Sequence, residues 1–179
     1  YMAVVLCRGL SEFSSIIARL TGDHGGIVSD KSIVPRLSVK RFSRKYISEK
    51  YASKKILTHD STGPAYTIDS IDDQLIGVLG NTRFRSVREL ARVVGLPLAT
   101  VDRRVKQLQA AGVIQGFFYD LNTGKLGIQS FRLLVNVQGL SSAVRQKVIE
   151  LCSRHPLAVY LIDVLGSWDF EIGIETPDP

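Results

Sequence analysis

Three short helices are predicted in the middle of the chain, where apolar residues recur every three or four positions. The second helix begins at Ser86, which is followed by Glu89 at the spacing of a capping box, and it ends at Gly95. The third helix covers residues 98–111, and an apolar run at residues 113–118 predicts a short strand after it. Three helices followed by a strand are the elements of a winged helix-turn-helix, so we expect that module here.

Single helices and short strands alternate on both sides of this module. Before it, apolar runs predict strands at residues 1–7 and 27–39, separated by a helix with Ser11 as its N-cap. After it, a strand, a helix and two more strands are predicted, at residues 131–137, 142–155, 157–165 and 170–174. That βαββ order is the first part of a ferredoxin-like βαββαβ sandwich, so the predicted fold class is α+β.

These patterns divide the chain into four predicted segments. They are the C-terminal half of a first αβ domain, a basic linker, the winged helix-turn-helix and the N-terminal part of a second αβ domain, at residues 1–42, 43–69, 70–120 and 121–179. Residues 1–6 and 170–175 both begin with an aromatic residue and continue as a strand, which favours tandem units in a longer protein. Alternatively, the two ends complete one sandwich, within this chain or across a dimer.

Charge, cysteine spacing and hydropathy narrow the possible partners, cofactors and cellular location of the protein. The net charge is +6 and the pI about 9.5, which favours an anionic partner such as nucleic acid. Cys7 and Cys152 are far apart and form no Cys-x-x-Cys pair, so we expect neither a disulfide framework nor a metal site. No apolar run is long enough to span a membrane. These features predict a cytoplasmic protein without a cofactor.

The predicted linker is strongly basic at its start. Between residues 40 and 55, seven Lys and Arg side chains are opposed by Glu49 alone. Such a run is either a solvated tether or a basic arm that follows phosphates. The seven are Lys40, Arg41, Arg44, Lys45, Lys50, Lys54 and Lys55.

The second helix of a helix-turn-helix lies in the DNA major groove, with its N-terminal residues facing base edges. Here Thr100 can contact a base or a thymine methyl group, and Arg103 can reach guanine O6 and N7. Arg104 and Lys106 are expected to contact the phosphate backbone. Asp102 repels phosphate unless it pairs with cytosine N4 or a neighbouring cation. The complete predicted DNA-binding set is Arg85, Ser86, Leu98, Ala99, Thr100, Asp102, Arg103, Arg104 and Lys106.

Several of these segments resemble the Lrp/AsnC (feast/famine) transcription regulators. The matching runs include Glu89-Leu90-Ala91, Val94-Gly95-Leu96, residues 100–108 and residues 111–117. Gly166-Ser167-Trp168-Asp169-Phe170 resembles the Gly-x-x-Asp-aromatic turn of that family's αβ domain. Pro97 departs from the pattern, because the family usually has a capping serine before the recognition helix.

The resemblance implies a DNA-binding module joined to an αβ domain that senses a small effector and oligomerises. The effector is expected to be an amino acid or related molecule bound near the Gly-x-x-Asp turn. The candidate effector residues are Leu165, Gly166, Ser167, Trp168, Asp169 and Ser32.

We therefore predict a sequence-specific DNA-binding transcription regulator that is not an enzyme. Its expected partners are double-stranded DNA, a small effector and further copies of itself, with no membrane contact. One alternative is a sensor or scaffold of this architecture that has lost DNA binding. Another is an enzyme resembling those relatives that decarboxylate a modified haem precursor, although His24, His59 and His155 are scattered along the sequence.

Overall fold

A computed structural model of the chain describes residues 4–7, 9–23, 32–60, 65–82, 86–116 and 120–177. The chain forms two compact units, Tyr1–Val34 and Pro35–Pro179.

The first unit contains one described helix. Helix α1 spans Leu10–Asp23, so Ser11 lies inside the helix and is not its N-cap as predicted. Residues 4–7, the described part of the first predicted strand, form no strand, since no described strand pairs with them.

Three helices in the second unit form the predicted central module. Helix α2 spans Ser70–Asn81, α3 spans Val87–Val94 and α4 spans Leu98–Ala110. Asp69 caps α2 by accepting hydrogen bonds from two backbone N–H groups of its first turn, as the N-cap position requires.

The core of this module takes one or more fully buried side chains from each helix. Leu75 of α2, Leu90 of α3 and Val101 of α4 are all within 2% of complete burial. Gly95 ends α3 with φ of +69°, which permits the tight turn into α4. Such a turn leaves the outer side of α4 facing solvent.

The predicted strand after α4 is wrong over its described part, because residues 113–116 form no strand. The backbone N–H groups of Val113 and Ile114 both donate to the carbonyl of Leu108 and so close the last turn of α4. Residues 117 and 118 lie outside the described residues.

A five-stranded antiparallel sheet forms the rest of the second unit, in the order β2-β1-β4-β5-β3. The strands β1 to β5 are Arg36–Arg41, Leu57–Asp60, Ile128–Val135, Ala158–Val164 and Phe170–Pro177. Helix α5 (Ser142–Arg154) packs on one face over a core of Cys152, Ala158, Leu161 and Phe170. A 3-10 turn at Thr123–Leu126 leads into β3.

The strand predicted at residues 27–39 is shifted toward the C-terminus. Residues 27–31 lie outside the described residues, and the observed strand β1 begins only after Pro35, which has no N–H to donate to a ladder. β1 pairs with β4, with Ser38 opposite Asp163. A segment that sequence patterns place in a first αβ domain thus shares one sheet with residues of the second.

The predicted linker contains a strand that the sequence did not indicate. β2 pairs with β1, and it has only four residues, Leu57–Asp60, with one large apolar side chain. So short a strand produces no clear alternation of apolar and polar positions, and it forms because β1 offers a free edge.

Candidate nucleic-acid interface

The start of α3 is built as the sequence predicted. The Ser86 hydroxyl accepts a hydrogen bond from the backbone N–H of Glu89 at 3.2 Å. Ser86 is exposed, and so are Arg88 and Arg92 of the same helix. Arg83 and Arg85 lie outside the described residues. The described part of α3 therefore presents two arginines to solvent close to α4.

Helix α4 separates its residues into an inner and an outer face. Val101, Val105 and Leu108 are buried in the module. Leu98, Ala99, Arg103 and Lys106 are exposed, and Thr100 is half-buried. The outer face thus brings together most of the residues predicted to contact DNA.

Pro97 stands at the N-cap of α4 and makes no side-chain capping hydrogen bond. Its carbonyl accepts from the backbone N–H groups of Thr100 and Val101, at 3.0 and 3.1 Å. The remaining N–H groups of the first turn stay available to solvent or to a phosphate, because no side chain occupies the cap.

Arg103 and Asp102 occupy different surroundings on this face. The Arg103 guanidinium makes one long hydrogen bond, 3.4 Å to the side-chain oxygen of Gln107, and is exposed. Asp102 forms an ion pair with Lys106 one turn later, at 2.7 Å. The pair neutralises an acid that otherwise repels phosphate, and an exposed pair of this spacing is easily exchanged for other contacts.

Arg104 is directed away from the outer face. Its Nη1 atom lies 2.7 Å from a carboxylate oxygen of Asp69 and 3.4 Å from one of Asp72. Asp72 is almost completely buried, so Arg104 supplies the charge that this carboxylate needs. The hydrogen bond from the Asp72 backbone, and after it the contact with Arg104, hold the pKa of Asp69 below its usual range. Arg104 therefore joins α4 to the start of α2.

The Gly-x-x-Asp turn connects β4 to β5 and is tied to β3. Asp169 accepts through Oδ2 from the backbone N–H of Val137 at 2.8 Å, and its own N–H donates to the carbonyl of Val135. Gly166 has φ of +146°, a conformation that side-chain-bearing residues rarely adopt. Asp169 thus connects the turn to the end of β3 through these two hydrogen bonds.

The predicted effector residues of the turn lie together, with one buried donor among them. Leu165, Gly166 and Ser167 are exposed, whereas Trp168 and Asp169 are half-buried. The Trp168 indole Nε1 is buried and has no hydrogen-bond partner in the described part of the chain. Ser32 belongs to the first compact unit and is not part of this turn.

A charge cluster that the sequence did not indicate lies where the predicted linker meets the sheet. Arg44 binds both oxygens of Glu175, at 2.7 and 3.2 Å, and the Tyr46 hydroxyl donates to the same carboxylate. Lys45 donates to the carbonyl of Ser153. The start of the basic segment is therefore docked on the sheet and is not a free tether.

This cluster shifts the pKa values of three of its members, and the hydrogen bond to Glu175 raises that of Arg44. Burial disfavours the Glu175 carboxylate, but the hydrogen bonds from Arg44 and Tyr46 outweigh it and hold the pKa of Glu175 below its usual range. Burial, then the hydrogen bond to Glu175, raises the pKa of Tyr46 to about 12. Glu175 lies just after a predicted strand, and the basic run lies more than 100 residues earlier, so the sequence contained no signal that the two meet.

Two kinds of feature are absent from the described residues. No described helix combines the length and the apolarity needed to cross a membrane. No group of three or more potential metal-ligating side chains occurs in the part of the chain that the structure describes.

An exposed basic helix on a three-helix core, joined to an antiparallel αβ sheet, defines a DNA-binding protein of the winged helix-turn-helix class. Residues 68–115 match the family model described as winged helix-turn-helix DNA-binding. An uncharacterised HTH-type transcriptional regulator of Pyrococcus furiosus is 32% identical over 103 residues, which are 57% of this chain and 68% of that protein.

Solved structures show the same fold. An AsnC family transcriptional regulator from Agrobacterium tumefaciens aligns with a TM-score of 0.50 and 23% identity, over 62% of this chain and 73% of that one. A transcriptional regulator from Neisseria meningitidis, in complex with L-Met, also has a TM-score of 0.50 and 23% identity, over 63% and 73% of the two chains.

The chain belongs to the HTH-type transcriptional regulators, and its fold is that of the Lrp/AsnC regulators. The resemblance drawn from its sequence motifs is thereby confirmed. The relatives are transcriptional regulators and not enzymes, as expected for this chain.

Proposed function

We propose that this regulator binds specific DNA sequences in the cytoplasm, with α4 in the major groove and Thr100 and Arg103 facing the bases. The observation that carries the proposal is the exposed Arg103 guanidinium, held near the start of a helix whose opposite side is buried. Lys106 is available to phosphate through exchange of its exposed pair with Asp102. Arg88 and Arg92 add positive charge on the neighbouring helix.

We assign Arg104 a structural role, although its sequence position suggested a contact with the phosphate backbone. Its guanidinium is committed to Asp69 and Asp72, so it positions α4 and does not contact phosphate. The DNA contacts are then carried by residues on the outer face of α4 and the exposed start of α3.

The experiment is selection of bound fragments from a genomic library, followed by titration of the best fragment with the Arg103→Ala variant. We expect a loss of about 1–3 kcal/mol in binding free energy, because a bidentate contact to guanine is removed. Arg154→Ala is the matched control, since Arg154 is an exposed arginine at the end of α5, remote in sequence from the module. Equal affinities for the two variants would count against base reading by Arg103.

We further infer that an amino acid or related small molecule binds at the Gly-x-x-Asp turn. Support comes from the unpartnered indole donor of Trp168 and from the solved regulator that contains L-Met. Trp168 is the only tryptophan of the chain, so its fluorescence reports this turn directly. Titration with L-methionine and the other amino acids should change that fluorescence saturably for at least one of them, and a flat response to all refutes this site.

Self-association through the αβ domain is also proposed. The large apolar side chains Phe131, Leu133 and Leu134 of β3 are each about half exposed, at 51%, 49% and 50%. Apolar surface of this kind on an edge strand favours contact with a second copy. Native mass measurement should give a dimer or larger species, and a monomer at micromolar concentration would contradict the proposal.

A further inference from the structure

Helix α4 begins with apolar residues that are exposed to solvent. Pro97 stands at its N-cap, and Leu98 and Ala99 are its first two residues. All three are exposed, and Leu98 keeps 43% of its surface accessible although the rest of its side chain packs on the module. We call these three residues the apolar start. Neighbouring exposed apolar side chains indicate a contact surface when they border a binding site.

The apolar start is continuous with the outer face of α4. Ala99 precedes Arg103 by four residues, so the two side chains lie on the same face of the helix, one turn apart. Val101 is buried in the module and fixes which side of the helix faces inward. The apolar start therefore extends the outer face to the N-terminal end of the helix, which is the end that faces base edges in a helix-turn-helix.

This end of the helix has no polar side chain with which to contact a base. Pro97 makes no capping hydrogen bond through its side chain, and the side chains of Leu98 and Ala99 have neither a donor nor an acceptor. The first polar side chain of α4 is that of Thr100, which is half-buried. Side-chain contacts of the apolar start with the major groove must therefore be apolar contacts.

Thymine is the base that presents an apolar group in the major groove, its C5 methyl. Contact between that methyl and an apolar side chain removes both from water, which is favourable. The same side chain against the N4 amino group of cytosine would leave a donor without a partner, which is costly. An apolar helix start thus favours thymine over cytosine.

We propose that Leu98 and Ala99 contact thymine methyl groups and make this end of α4 specific for A·T pairs. Ala99 and Arg103 are four residues apart, a rise of about 6 Å, and consecutive base pairs are about 3.4 Å apart. The contacted thymine is therefore expected about two base pairs from the guanine that Arg103 contacts. This inference rests on the proposed binding of α4 in the major groove, and it adds the residues that select A·T pairs.

The test compares the selected duplex with the same duplex in which every thymine is replaced by uracil. Uracil keeps the base pairing and the O4 acceptor of thymine and lacks only the methyl group. Titration of the full chain should show binding to the uracil duplex that is weaker by about threefold or more for each contacted methyl. Replacement of one thymine at a time then locates the contacted positions.

The outcomes separate this inference from the proposed function. Equal affinity for the thymine and uracil duplexes overturns the inference, and so does a selected sequence without thymine near the guanine; sequence-specific binding would survive either result. Equal affinity for the selected duplex and a scrambled duplex would overturn the proposed function and this inference together.

Variants assign the preference to the apolar start through the ratio of the two affinities, thymine duplex to uracil duplex. Leu98→Ala with Ala99→Gly removes most of the apolar atoms and should bring the ratio close to one. Ala99→Ser alone, at an exposed position, should lower the ratio without disturbing the core. Lys106→Gln is the control, because loss of a phosphate contact weakens binding to both duplexes equally and leaves the ratio unchanged. An unchanged ratio in the Leu98 and Ala99 variants would show that another residue contacts the methyl groups and would overturn the assignment.

Discussion

Replacement of Arg104 by alanine separates a positioning role from a DNA contact. Arg104 is the charge partner of Asp72, whose side chain is only 2% exposed, and of the α2 cap Asp69. Removing it leaves a buried carboxylate without compensation and releases the contact between α4 and the start of α2. The variant should therefore lose stability more than it loses direct contact with DNA.

The magnitude follows from the exposure of the three side chains. Breaking a fully buried ion pair costs about 3–5 kcal/mol. The Arg104 side chain is 21% exposed and that of Asp69 is 47% exposed, so water screens part of the interaction. A loss of about 1–3 kcal/mol in the free energy of unfolding is expected after this discount.

Urea unfolding, followed by the helical circular dichroism signal, measures the loss in the free energy of unfolding. Titration of DNA at several salt concentrations shows whether Arg104 contacts a phosphate. Arg103→Ala, the neighbouring residue, should show the opposite pattern, with unchanged stability and weaker DNA binding. If Arg104→Ala is as stable as the unaltered chain and lowers the salt slope by about one charge, Arg104 contacts phosphate and the positioning role is refuted.

Four further predictions concern stability. Ser86→Ala removes the cap of α3 and should cost about 0.5–2 kcal/mol in urea unfolding, whereas Ser86→Asn should cost much less. The pKa of Glu175 is lower in the folded chain than in the unfolded chain, so its carboxylate stabilises the fold fully above the unfolded pKa. This stabilisation is lost as the pH falls through the folded pKa, and Glu175→Gln should therefore flatten the acid side of a stability–pH profile. The pKa of Tyr46 is raised in the folded chain, so its contribution to the free energy of unfolding is lost at alkaline pH, as the pH rises through about 12. Gly173→Ala would bring its Cβ within 2.1 Å of the Tyr160 ring and should cost about 1–3 kcal/mol, unless Tyr160→Ala relieves the clash in the double variant.

The helices of the central module could be predicted because their signals are local. Ser86 and Gly95 mark the two ends of α3 in the sequence itself, and both have the capping geometry that their residue types predict. The inward positions of α4 follow from helical spacing alone, as the burial of Val101 and Val105 confirms.

Helical spacing alone could not predict whether the Arg104 side chain faces DNA or the neighbouring helix α2. Arg104 lies three residues after Val101 and four before Leu108, which places it at the edge of the buried face. Two acids at the start of α2 were the available signal, but their contact with α4 depends on how the helices cross.

Long-range pairing lies beyond local patterns altogether. Nothing in residues 36–41 specifies that they pair with β4, or that Arg44 meets Glu175, 131 residues away. These contacts depend on which sheet edge is open and on which charges are buried there, and both are properties of the assembled sheet.

The most direct test of the central claim is the affinity of the full chain for its selected DNA sequence, compared with a scrambled duplex of the same length at one salt concentration. We expect the selected sequence to bind about a thousandfold or more tightly than the scrambled duplex, and both affinities to fall as the salt concentration rises. Equal affinity for the two duplexes, or no salt-dependent binding to either, would contradict it.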